Sequence, residues 1–276
     1  MCLGPRCSNE AVEARAALGA ESSPVDDSPT ASEAAPLLTF AGVGKRFPDG
    51  TTALDGVDLR VPAGEFVSVI GPSGCGKSTL LRIASDLTRA SDGTVDIRTR
   101  RIGYVFQDPT LLPWRSVQAN VELFAELRRL PKAERRRRAD AAIKLVGLSD
   151  FARHRPRALS GGMRMRVSLA RSLTLQPELF LFDEPFGALD EIARERLNGE
   201  LLGLYLTQRF TALFVTHSVT EAVYLSTRVV VMSGRPGRVL GDFPVPFDYP
   251  RLPRLRFDER FARLAGQLSA RLRGGQ

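Results

Sequence analysis

Nine consecutive residues, Gly71, Pro72, Ser73, Gly74, Cys75, Gly76, Lys77, Ser78 and Thr79, fit the pattern G-x-x-x-x-G-K-[ST]. The types and spacing suit the phosphates of a nucleotide. Phosphates need short-range donors, and backbone N–H groups serve if no side chain stands in the way. Glycines at 71, 74 and 76 allow that approach and the backbone angles it needs. Lys77 brings a point charge to the β- and γ-phosphates, and Ser78 offers a hydroxyl to Mg²⁺.

A second chemical constellation lies at Asp183-Glu184-Pro185, directly after the apolar run Glu178-Leu-Phe-Leu-Phe182. Two carboxylates at the end of a buried strand are costly unless charged partners meet them. Mg²⁺ on Asp183 meets one, and Glu184 is then placed to polarise an attacking water. A plain acidic surface turn leaves unexplained why an unbroken apolar strand runs straight into both.

A third is Leu159-Ser160-Gly161-Gly162-Met163, where Ser160 suits an N-cap and Gly161 and Gly162 bare their amides at a helix start. That makes a second anion-binding helix terminus in one chain, with a plain capped helix as the simpler reading. Gln107 at the end of one strand is a candidate to touch Mg²⁺ or water, or is a solvated turn residue. His217, at the end of another, is a candidate for a γ-phosphate hydrogen bond, although a lone histidine is more often structural. Phe47 is an aromatic on a loop, open equally to stacking on an adenine face and to edge packing.

These residues need a scaffold that lines up strand ends. Glu65–Ile70 is apolar and β-branched, as a buried parallel strand requires, and the helical spacing of Leu80, Leu81, Ile83, Ala84 and Leu87 follows the phosphate loop. Two strands, Leu37–Val43 and Thr51–Val61, lead in. Thr94–Arg98, Ile102–Phe106, Glu178–Phe182, Ala212–Thr216, Val229–Met232 and Arg238–Phe243 read as further strands. Residues 116–158 lack strand character and read as helices, and Gly187–Asp190 turns into another helix. Ligands in open α/β sheets sit at the carboxyl ends of strands, where these candidates fall.

Bulk properties narrow the class. The 276 residues are 43% hydrophobic and 25% charged, an ordinary globular composition. No apolar run approaches the roughly 18–20 residues of a membrane span. Met1–Glu10 has no hydrophobic stretch of a secretory signal, and Cys2, Cys7 and Cys75 form neither a disulfide framework nor a metal spacing, so a reducing cytosolic setting is expected. Net charge is +8. Residues 1–36 set Arg6 and Arg15 against six acids, a balance of −4, which leaves +12 on the remainder. That tail is rich in Ala, Glu, Ser and Pro and is expected to be disordered. Arg135–Arg138 reads as a solvated helix face or as an anionic contact. Leu111–Trp114 reads as a docking surface for another protein or as core. The stretch beyond Pro250 has near-helical amphipathic spacing, and spacing alone leaves open whether it packs on the body or lies on a surface.

In order and spacing, residues 37–243 resemble the ATP-binding subunits of ABC transporters. Residues 71–79 are similar to Walker A and 179–184 to Walker B. Gln107 matches the Q-loop, Leu159–Met163 the signature motif, Gly187–Asp190 the D-loop and His217 the switch histidine. Phe47 falls where the family has an aromatic under adenine. The signature discriminates, because other P-loop NTPases lack it. The resemblance implies an α/β P-loop NTPase (RecA-like) core with an antiparallel β lead-in and a helical subdomain at about 108–160. A C-terminal extension with an amphipathic helix follows at 244–276. It implies ATP and Mg²⁺ as cofactors, with Ser78, Gln107 and Asp183 toward the metal.

It also implies a head-to-tail dimer in which each ATP lies between Walker A of one subunit and Ser160, Gly161 and Gly162 of the other. Glu184 is expected to orient water and His217 to sense the γ-phosphate. Expected partners are transmembrane permease subunits and, indirectly, a solute-binding protein, at the cytoplasmic face of the inner membrane. Residues 107–115 and 183–190 look most like the nitrate/sulfonate/taurine importer branch, and Asp190–Arg194 with Arg196-Leu-Asn198 is also similar to relatives assigned to pyrimidine-precursor or other small-molecule uptake. In this family the solute does not touch the ATPase, so the sequence does not name it. Two departures stand out: Met163 replaces the usual Gln, and Ser85-Asp86 replaces a commoner small pair.

Two other readings compete. A soluble ABC ATPase acting on nucleic acid or ribosomes usually carries two cassettes, coiled-coil insertions or zinc cysteines, and this sequence has none of them. A nucleotide sensor without hydrolysis is at odds with an intact Glu184 and His217.

Overall fold

The computed structural model describes residues 36–275. The expected disordered tail, with Cys2 and Cys7, therefore lies outside the described residues except for Pro36. Two sheets organise the chain. The first is antiparallel and joins β1 (Pro36–Arg46), β2 (Thr52–Pro62) and β4 (Asp92–Ile97) in the order β2-β1-β4. The lead-in thus has a third strand, which arrives only after the phosphate loop and its helix: Leu38 of β1 faces Ile97 of β4 and Phe40 faces Val95.

The second sheet runs β5-β6-β7-β3-β8-β9. Its strands are β3 (Phe66–Ile70), β5 (Ile102–Val105), β6 (Leu179–Asp183), β7 (Thr211–Thr216), β8 (Arg228–Met232) and β9 (Val239–Pro244). All pairs are parallel except β8–β9. Every residue of β3, β6 and β7 is buried, because helices or the antiparallel sheet cover both faces. Alternation sorts their side chains. Phe66, Ile70, Phe180, Phe182 and Phe214 enter a core with many aromatic members on one face. Val67, Val69, Leu181 and Leu213 enter an aliphatic core shared with β1 and β2 on the other.

The helices are α1 (Lys77–Ala84), α2 (Val117–Leu127), α3 (Lys132–Leu145), α4 (Gly161–Leu173), α5 (Glu191–Gln208), α6 (Val219–Leu225) and α7 (Glu259–Gly274). A third core joins α2, α3 and α4 through Val121, Ile143, Val167 and Ala170. The loop before α2 is pinned from within: Asn120, fully buried, donates to the carbonyls of Leu112 and Arg115 and accepts from the Leu112 amide. This divides the apolar loop. Leu111 packs against the helical core, whereas Trp114 stands 68% exposed.

The C-terminal helix packs on the body, with Phe261 and Leu268 in the aromatic core. The segment leading to it is clamped by Arg251, whose buried guanidinium donates to the carbonyls of Phe247, Val223, Tyr224 and Ser226. No helix among the described residues is long and apolar enough to cross a membrane.

Candidate active site

The strand order sets neighbouring loops side by side. In register, Ile70 pairs with Thr216, and Val215 pairs with Asp183. The phosphate loop, the carboxylate pair and His217 therefore leave adjacent parallel strands at one sheet edge, with Gln107 two residues beyond β5 on the flank. This is the carboxyl edge at which open α/β sheets hold ligands.

Local backbone explains two of the glycines. Gly74 and Gly76 have φ of +74° and +106°, which disfavour any side chain. A Cβ on Gly76 would also stand 2.6 Å from the Ala53 carbonyl of β2. Cys75 turns inward, 1% exposed, into the aliphatic core, and burial pushes its thiol up from the usual range. It contributes packing, so only its backbone is available to the loop.

Lys77 begins α1 at 4% exposure. Its ammonium donates to the carbonyls of Gly71 (2.8 Å) and Pro72 (2.9 Å) and lies 3.7 Å from Glu184 Oε1. Ser78 Oγ donates to Asp183 Oδ1 at 2.7 Å, and the Tyr104 hydroxyl donates to Asp183 Oδ2 at 3.2 Å. Burial, reinforced by the Asp183 charge, raises the Tyr104 pKa and keeps the phenol protonated as a donor. Glu184 has φ of +44°, strained for a residue with a side chain, and its N–H donates to the Val215 carbonyl at 2.9 Å. Glu184 Oε2 lies 2.9 Å from His217 Nδ1, so the carboxylate is held between a cation and an imidazole.

Around them is a cleft of about 360 Å³, lined by Phe47, Ser73, Lys77, Ser78, Thr79, Gln107, Glu184 and Arg235, among others. Of the sequence candidates, Phe47 and Gln107 join the phosphate loop there. Ser160, Gly161 and Gly162 are not among its lining residues. Ser160 is exposed at the N-terminus of α4, where its Oγ accepts from the Met163 amide at 3.2 Å. Arg235 and Tyr104 are additions that sequence reading missed. Arg235 comes from the β8–β9 turn and donates to the Gly74 carbonyl at 3.1 Å. Nothing in its local sequence signals this, because only the strand pairing brings that turn to the phosphate loop. Tyr104 lies on β5, and its strand neighbour Asp183 could have been inferred only from the β5–β6 register.

The arrangement offers a polyphosphate a loop of glycine amides, a helix N-terminus and an ammonium. An oxygen-rich corner of Ser78, Asp183 and the neighbouring Gln107 amide suits a hard divalent cation such as Mg²⁺.

Comparison with known proteins gives this geometry its family. A family model described as ABC transporter matches residues 54–187. The aliphatic sulfonates import ATP-binding protein of Mesorhizobium japonicum is 44% identical over 257 residues, covering 91% of this chain and 94% of the relative. The chain belongs to the ABC transporter family. The nitrate import ATP-binding protein of Synechococcus elongatus is 42% identical over 228 residues, 78% of this chain and 83% of the relative. An ATP-binding cassette solved as a dimer bound to ADP and Pi superposes with a TM-score of 0.68 at 33% identity, covering 76% of this chain and all of that one. This ABC ATPase accordingly binds ATP and hydrolyses it, coupled to transport, as its family does. Its fold is the α/β P-loop NTPase fold of those cassettes.

Proposed function

We propose that this ABC ATPase energises uptake of a small anionic solute of the sulfonate or nitrate kind, as one of two subunits that close head to tail around two ATP molecules. The observation that carries the dimer is the presence of two glycine-flanked helix starts with a hydroxyl residue, of which only the α1 start lines the cleft. In this reading the α4 start, with Ser160, Gly161 and Gly162, completes the cleft of a second copy. The solute class rests on the named sulfonate and nitrate relatives.

Within each cleft, Lys77 and the loop amides bind the β- and γ-phosphates, and Phe47 carries the adenine. Glu184 orients and deprotonates the attacking water, while His217, at 2.9 Å, fixes the rotamer of Glu184 and contacts the γ-phosphate. Ser78, Asp183 and Gln107 would hold Mg²⁺, which would supply positive charge beside the phosphates. Closure and reopening drive transmembrane permease subunits from the cytoplasmic face of the membrane, where the exposed Trp114 loop is available to them.

The arginine run at 135–138, the feature that would suit nucleic acid, is partly engaged by acids of its own subdomain. Arg137 and Arg138 share Glu134, whose carboxyl they hold at about 2, and Arg135 lies 4.0 Å from Glu126. Three of the four arginines thus have an acidic neighbour within the helical subdomain, while Arg136 is exposed. Affinity purification from solubilised membranes tests the proposal: a multi-span permease should co-elute, and sulfonate or nitrate uptake by vesicles holding the complex should require ATP. Recovery of RNA or DNA with no permease would refute it.

A further inference from the structure

Behind His217 lies a partly buried ion pair that the hydrolytic reading does not use. Glu221 on α6 is 4% exposed. One of its carboxylate oxygens accepts the hydroxyl of Thr216, the residue before His217. The Thr216 hydroxyl in turn accepts the amide of Ser218, the residue after it, at 3.0 Å, and the Glu221 amide donates to Ser218 Oγ at 3.3 Å. The histidine is thus bracketed by groups fastened to Glu221. The other oxygen, Oε1, is buried without a hydrogen-bond partner and lies 3.7 Å from Arg194 Nε on α5. Arg194 reaches the opposite way as well. It donates to the Leu189 carbonyl at 2.9 Å and, at 3.4 Å, to that of Phe186, both in the loop that carries Gly187–Asp190. That loop already touches the site, since its Gly187 amide donates to the Glu184 carbonyl at 3.1 Å.

A pair whose carboxylate is buried in this way is poor at stabilising a fold, because desolvation of the acid offsets much of the attraction. The incomplete contact at Oε1 also leaves room for a second, fully bonded arrangement once Arg194 shifts toward it. Two loops meeting on one adjustable pair form a physical element through which the position of one biases the other.

We propose that Arg194 and Glu221 are positioning residues for ATP hydrolysis: their pair links the placement of loop 187–190 to that of His217 against Glu184. The inference rests on the reading that Glu184 and His217 act in hydrolysis. It adds that a subunit pressing on loop 187–190 adjusts the facing His217 through Arg194.

The test uses the full chain with MgATP. E221Q preserves shape and removes the charge, R194A removes the cation, and R194K restores charge without the guanidinium fork. Turnover, KM, affinity for a fluorescent ATP analogue and the melting temperature are measured for each, and for the E221Q/R194A double variant. The expected result is a fall in kcat of about tenfold for E221Q and for R194A. Nucleotide affinity should stay within about threefold, R194K should be intermediate, and the double variant should be no slower than the worse single one. If R194A does not fold, E221Q and T216V, which removes the hydroxyl link, decide the matter by the same kcat-against-affinity split. A kcat within twofold of wild type in E221Q and R194A overturns the proposal, as does a double variant whose losses multiply. A wild-type chain that does not hydrolyse ATP overturns the underlying reading too, so the two failures are distinguishable.

Discussion

The starts of α1 and α4 are built from similar parts and left in opposite conditions. Both present glycine-flanked amides and a hydroxyl residue in the first turn or just before it. At α1 the parts are absorbed by their own chain: Lys77 is buried among carbonyls, Ser78 is bonded to Asp183, and Gly76 packs against β2. At α4 Ser160 is exposed and its Oγ is engaged by a single amide, that of Met163. The first has strands behind it that fix where a phosphate sits. The second rides on the helical core and can be presented elsewhere. On the proposed reading, one chain carries a rigid half-site and a deliverable one.

The largest expected effect breaks the rigid half-site chemically and leaves its architecture alone. Glu184→Gln keeps the shape beside Lys77 and His217 but removes the base. Turnover should fall by about a hundred- to ten-thousandfold, while ATP binding persists and an ATP-bound dimer accumulates in light scattering. Steady-state hydrolysis equal to wild type would show that another group activates the water.

Lys77→Ala removes the ammonium itself. A charge-assisted contact of this kind is worth about 1.5–3 kcal/mol, so ATP affinity should drop by about ten- to a hundredfold in equilibrium titration. The variant should still fold, because the backbone kink at Gly74–Gly76 does not depend on the side chain. Unchanged affinity would place the phosphates elsewhere.

The contrast between the two helix starts also explains what was legible in the sequence. The α1 start and the Asp183-Glu184 pair are contiguous strings flanked by fully buried strands, and both motif and apolar pattern point to them. The α4 start is equally contiguous, but the proposed service to another cleft would be a property of the dimer, and no spacing within one chain states it. Arg235 and Tyr104 enter only through strand register, which places a distant turn against Gly74 and β5 against Asp183. Helix α6 escaped notice because its seven residues, most of them buried, show no amphipathic period. The amphipathic spacing of α7 was visible, but its docking depends on Phe261 and Leu268 finding the aromatic core. The third strand of the antiparallel sheet has the same origin, since pattern marks a strand but not its neighbours.

Ser160→Ala probes the deliverable half-site. Loss of an N-cap costs about 1 kcal/mol, a small decrease in melting temperature. ATP binding to the isolated subunit should be untouched, whereas ATP-driven dimerisation should weaken by about tenfold, because a γ-phosphate contact disappears. The comparison fails if subunit affinity and dimerisation fall together, for then Ser160 serves its own cleft.

Met163→Gln tests how much of the α4 start resides in side chains. The Met163 amide is already committed to the Ser160 hydroxyl, and that backbone bond is indifferent to the side chain carried at position 163. The thioether is half-buried against the helical core, so it anchors α4 but offers a neighbouring subunit no hydrogen bond. A glutamine there gives up some packing and gains a polar reach toward water or phosphate. A neutral hydrogen bond of about 0.5–1 kcal/mol corresponds to a turnover gain of about two- to fivefold, with subunit ATP affinity constant. A small fall in melting temperature should accompany it. If turnover does not move, the α4 start works through Ser160 and the amides alone. A turnover lower than that of the native methionine would mean that firm seating of α4 on its core limits the rate more than the missing polar contact does.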